Sequence, residues 1–151
     1  MNTLPSPRSS SCTVLALLTS FLIVSAGYGQ AVYSPPAGSP ERKAIMDALR
    51  VPCEKDLKQK VIFKVNLLKI SGAWAAARVT PLRPDGSPIN YRLTKYKEAF
   101  ENDVFDSGGE ALLKKKDGTW RLLHWRFGGT DTELFEWIKE AGAPAIIAEM
   151  E

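Results

Sequence analysis

The segment from Glu110 to Phe127 constrains the fold more than any other part of this chain. Two arms of extended character flank Asp117-Gly118. That pair accepts the positive φ angles of a two-residue hairpin turn, so the arms are expected to pair antiparallel. In the second arm, strict alternation puts Leu123, Trp125 and Phe127 on one face and Trp120, Leu122, His124 and Arg126 on the other. The wholly apolar face is expected to meet a helix. A second hairpin lies upstream. Val61, Phe63, Val65 and Leu67 alternate with Ile62, Lys64, Asn66 and Leu68, Ser71-Gly72 supplies a turn, and Trp74 to Leu82 is extended again. The small residues Ala75, Ala76 and Ala77 there imply a helix packed close to the sheet. Pro81, Pro84, Asp85-Gly86 and Pro88 end the pairing, because proline cannot donate to a ladder.

Helices are expected on either side of the hairpins. Ser39-Pro40-Glu41 reads as a hydroxyl cap, a proline where no helical hydrogen bond is lost, and an acid near the positive end of the dipole. The helix is expected from about Pro40 to Arg50, with Ala44, Ile45, Ala48 and Leu49 on one stripe. Cys53 and Leu57 continue that stripe past a kink at Pro52. After Gly128-Gly129, Thr130 and Glu133 have capping-box spacing. Leu134, Phe135, Trp137, Ile138 and Ala141 then form a stripe that stops at Gly142 and Pro144. Between the hairpins, Tyr96, Ala99 and Phe100 suggest a short helix. The order helix, hairpin, crossover, hairpin, helix has none of the strand–helix alternation that builds a parallel sheet, so the class is α+β. The expected architecture is an antiparallel sheet of about four strands packed against an N-terminal and a C-terminal helix.

The first residues read as an export signal. The apolar run from Val14 to Val24 is shorter than the roughly 20 residues that span a bilayer, and Val24-Ser25-Ala26 suits cleavage after Ala26, with Gly29 or Ala31 as alternatives. This divides the chain into a signal peptide (1–26), a flexible proline- and glycine-rich linker (27–39) and a single α+β domain (40–151). The product is expected to be periplasmic or secreted, with contact to membrane only through the signal. Of the two cysteines, Cys12 leaves with the signal and Cys53 remains, so no internal disulfide is expected. Two cysteines and one histidine also leave no material for a zinc framework, and neither a metal nor a cofactor is expected.

Charge narrows the partners. A net charge of +3 falls well short of a dedicated nucleic-acid binder. Lysines nonetheless gather at Lys114 to Lys116 and along Lys55, Lys58, Lys60, Lys64 and Lys69, while the C-terminal residues are acidic. Such a surface suits an acidic protein or an anionic envelope component, although edge strands also use lysine to block aggregation. No catalytic residue stands out. His124 is the only imidazole, and Cys53 reads as a buried structural thiol. Asp131 and Glu133 suit the first turn of a helix, and Asp103 and Asp106 suit turns before Gly108-Gly109.

The run Lys115 to Trp125, together with Gly72-Ala73-Trp74-Ala75, resembles hairpins of the nuclear transport factor 2-like and cystatin-like superfamily. The Ser39 to Ile45 start resembles a group of small uncharacterised exported bacterial proteins. The superfamily resemblance implies a curved antiparallel sheet folded around a helix, in which some members hold a conical pocket with an acid or a His-Asp pair. If there is a pocket, its entrance is expected at Tyr91, Tyr96, Trp120, His124 and Arg126, the amphipathic groups of the crossover and of the last strand's outer face. The leading expectation is an exported binding or interaction module without enzymatic activity, its partner a protein, a small apolar ligand or an anionic envelope component. The alternatives are a small pocket enzyme of cyclase or isomerase type and an envelope-surface protein acting through its basic stretches.

Overall fold

The computed structural model describes Met1, residues 31–129 and residues 133–149. Apart from Met1, the expected signal peptide lies outside the described residues, as does Thr130 of the capping-box spacing. The described chain is an α+β domain. In order it contains β1 (Val32–Tyr33), α1 (Pro40–Leu57), β2 (Ile62–Ser71), β3 (Trp74–Leu82), α2 (Lys97–Glu101), β4 (Gly109–Lys116), β5 (Thr119–Phe127) and α3 (Leu134–Ala141). Short 3-10 turns occur at Tyr91–Leu93 and Ala145–Ala148. The strands form one curved antiparallel sheet in the order β1-β2-β3-β4-β5.

Both expected hairpins form. The sheet has a fifth strand because Val32 and Tyr33, within the segment read as a linker, pair with Ser71 and Ile70. The Tyr33 hydroxyl donates to Glu41 at 2.8 Å, which ties this strand to the start of α1. Ser39 caps α1, its hydroxyl accepting from the Arg42 amide at 3.2 Å. The helix then continues through Pro52 to Leu57. A proline inside a helix costs a hydrogen bond and about 3 kcal/mol. Burying Cys53 and Leu57, both fully inaccessible, holds the last turns in line against that cost.

The sheet is covered on both sides. On one face, Ile45, Met46 and Leu49 of α1 pack on Leu68, Ile70, Ala75, Ala77, Val79 and Leu113. On the other, Leu134 and Ile138 of α3, with Ile147 and Ala148, pack on Leu67, Ala76 and Leu112. The three alanines of β3 therefore serve both layers, alternating between them, and all three are fully buried.

Two register shifts change which side chains share a face. In the β4–β5 pair, Leu112 lies opposite His124 and Leu113 opposite Leu122, so Leu123 is the extra residue of a bulge. Strict alternation is thereby overturned. Trp120 and Leu122 join Trp125 on the α1 face, whereas Leu123, expected in the core, is 45% exposed. The second shift, between Val65 and Leu67, falls on β2. Asn66 there donates to the Thr80 hydroxyl at 2.9 Å.

Trp125 lies across Gly109, the residue diagonally before its cross-strand partner Ala111. A methyl group at position 109 would sit 2.7 Å from Trp125 Cζ3 and closer still to Cη2, inside van der Waals contact. Gly109→Ala should therefore destabilise the domain by about 1–3 kcal/mol. A lowered urea midpoint, with a changed near-ultraviolet circular dichroism signal from the displaced indole, is the expected result.

Candidate ligand-binding site

The structure separates the five residues expected to line an entrance. Tyr91 and Tyr96 come from the crossover and close one end of the α1 layer, where they pack with Phe105 and Phe127 at ring-centroid distances of 4.7–5.9 Å. Trp120 is buried at the other end of that layer, with Lys115 over its ring at 5.3 Å. His124 and Arg126 lie on the α3 face instead. His124 stacks on Trp137 at 5.4 Å with a 16° interplanar angle. Arg126 pairs with Glu133.

Only Arg126 of the five lines the cleft that the α3 face leaves open. This recess of about 280 Å³ is also lined by Asn66, Arg78, Thr80, Asp106 and Glu110. Cross-strand register explains the gathering. Arg78 lies opposite Glu110, and Glu110 opposite Arg126, so three charges from β3, β4 and β5 stand in one row.

Glu110 is the hub of that row. One of its oxygens accepts from Arg78 Nε at 2.9 Å. The other accepts from the backbone amides of Glu133 and Leu134 at 3.0 and 3.1 Å. Those amides open α3, whose own preceding residue makes no side-chain cap. The first amides of α3 are thus satisfied by a carboxylate from the sheet. Both side chains of the Arg78–Glu110 pair are only 18% exposed. Asp106, as expected of a turn residue, accepts from the Gly108 amide at 2.8 Å.

Sequence reasoning missed Arg78, Glu110, Asn66 and Thr80. A signal was present in Arg78, a lone cation after three alanines. Its partner depended on the register of two strands separated by a long crossover.

The groups with intrinsic reactivity lie elsewhere. The Cys53 thiol is fully buried, and burial, then the charges of Asp56 and Glu54, push its pKa up to about 12. It is a poor nucleophile in the folded protein. Burial likewise pushes the Tyr91 phenol up to about 12, with smaller contributions from Cys53 and Asp106. Among the described residues, no group of three or more His, Cys, Asp or Glu side chains could hold a metal ion, and no helix is long and apolar enough to cross a membrane. Compared with known proteins, the chain matches no family model, no curated sequence and no solved structure.

Two outcomes are expected. Glu110→Ala leaves Arg78 without its partner and two helix amides without an acceptor, and should cost about 2–3 kcal/mol. Faster hydrogen exchange in α3 than in α1 would localise that loss. The second outcome concerns alkaline pH. Cys53 and Tyr91 keep their protons in the folded state up to about 12, whereas their ordinary values are 9.0 and 10.0. Between those limits the unfolded chain binds fewer protons, so stability falls as pH rises. The urea midpoint should decline from about pH 9 toward 12, and Cys53→Ala should remove the earlier part of the decline.

Proposed function

We propose that this chain is an exported binding module without enzymatic activity, whose ligand presents a carboxylate to the cleft on the α3 face. The observation that carries this reading is the filling of the opposite layer. There α1 packs across the sheet, and the crossover aromatics Tyr91, Tyr96 and Phe105 pack against Phe127 at one end. A cyclase- or isomerase-type site needs an apolar chamber in that position, and side chains occupy it instead. The reading keeps the resemblance to the nuclear transport factor 2-like and cystatin-like superfamily as part of the proposal, in the form of members that bind rather than catalyse.

The cleft supports a polar ligand over an apolar one. Arg78 engages Glu110 through Nε, and Arg126 engages Glu133 through Nη1. Each guanidinium has five N–H donors, so both retain capacity for a planar anion. Asn66 and Thr80 supply further polar contacts on the same recess, while the Asp106 carboxylate there is engaged by the Gly108 amide. Export rests on the Val14 to Val24 run and the small residues after it.

Two measurements test the reading. Glutarate, with its neutral diamide as control, should produce saturable amide shifts at Asn66, Arg78, Gly109 and Arg126. Arg126→Gln should weaken glutarate about five- to twentyfold, with the thermal midpoint nearly unchanged because the Arg126–Glu133 pair is 44% and 39% exposed. Shifts confined to Tyr91 and Trp120, or no saturation, would overturn the cleft as the site. Mass spectrometry of the exported protein should find a chain beginning at Gly27, and an intact N-terminus would overturn export.

A further inference from the structure

A second recess follows the outer edge of β2. Strand β1 covers that edge only opposite Ile70 and Ser71. At Ser34 the chain leaves the sheet for Pro35-Pro36, which have no amide to donate to a ladder. Among the described residues no strand lies on the outer side of β2 from Ile62 to Lys69, the side away from β3. The gap is a recess of about 400 Å³ lined by Ser34, Arg42, Val65, Asn66, Leu68 and Lys69. An edge of this kind presents backbone donors and acceptors with no strand beside them, and an added strand can use them.

We propose that the outer edge of β2 takes up an extended acidic peptide as an additional strand, in line with β1. Charge selects this occupant. Arg42 and Lys69 line the recess, with no acid among its described lining residues. Arg42 approaches from α1, its Nη1 donating to the Pro35 carbonyl at 3.2 Å. Lys64 and Lys69 stand on the opposite, α3 face of the sheet, across from Thr80 and Ala76. An extended peptide directs alternate side chains to the two faces, so acids on either face would meet a cation. A second copy of this chain fits less well. Antiparallel pairing of β2 with itself about Asn66 and Leu67 would set Lys64 opposite Lys69 of the copy twice over, and like charges directly opposite are destabilising. Asn66 lines both recesses. The peptide site otherwise uses none of the cleft's charged residues, so it extends the binding reading without depending on the cleft.

The test titrates the full chain with an acetylated, amidated octapeptide alternating glutamate and valine, and with its lysine–valine counterpart. The glutamate peptide should bind saturably, slow the hydrogen exchange of amides from Val65 to Lys69, and weaken as salt rises. Lys64→Glu should weaken it about tenfold while leaving the urea midpoint in place, because Lys64 is exposed. Equal binding of both peptides, absence of saturation, or protection along β5 instead of β2 would overturn the proposal. So would a chain that sediments as a dimer with these amides already protected, since a second copy would then hold the edge. Peptide effects at β2 without glutarate shifts at Arg78 and Arg126 would overturn only the cleft, and the reverse result only the peptide site.

Discussion

A single carboxylate, Glu110, ties the two layers of the α3 face together. α3 has eight residues, fewer than the roughly 12–15 at which an isolated helix is even marginal in water. It exists by packing and by having its first amides satisfied. Glu110 does the second from the middle of the sheet while also neutralising Arg78. The helix is thus placed by a strand, and the cleft beside Glu110 takes its shape from that placement. Arg126 and Glu133 repeat the link one strand further out.

The opposite layer is held in another way. α1 needs no help from the sheet to begin, because Ser39 and Pro40 start it locally. Its far end meets the crossover, where Tyr91 and Phe105 surround Phe127 and bury Cys53 and Leu57 with it. Apolar burial dominates on this side and a row of charges on the other. The α1 layer therefore reads as the stable half, and the α3 face as the one with chemistry left to offer.

Much of this architecture was legible in local patterns. Asp117-Gly118 and Ser71-Gly72 placed the turns, Ser39-Pro40-Glu41 placed a helix start, and the alanines of β3 announced close packing. What alternation could not show was Leu123. A bulge moves Trp120 to the other side of the sheet and separates it from His124, and nothing within the strand marks the extra residue. The charged row was hidden for a related reason. Arg78, Glu110 and Arg126 are neighbours through pairing between distant segments, and a cap supplied from Glu110 leaves no trace beside the helix that it caps. The edge of β2 was obscured because Val32 and Tyr33 lie in a segment with the composition of a linker.

The alanines of β3 have a consequence for how such a chain can change over time. A methyl group at Ala75, Ala76 or Ala77 touches one helical layer, and the next touches the other. Volume cannot be added at one of these positions without displacing a helix, and the adjoining position offers no room in which to compensate. The helices can exchange one apolar residue for another of similar size, since their partners can adjust. The short run after Trp74 has no such freedom. A distant relative with this double-sided architecture would thus betray itself less by its helices or its turns than by a central strand kept conspicuously small.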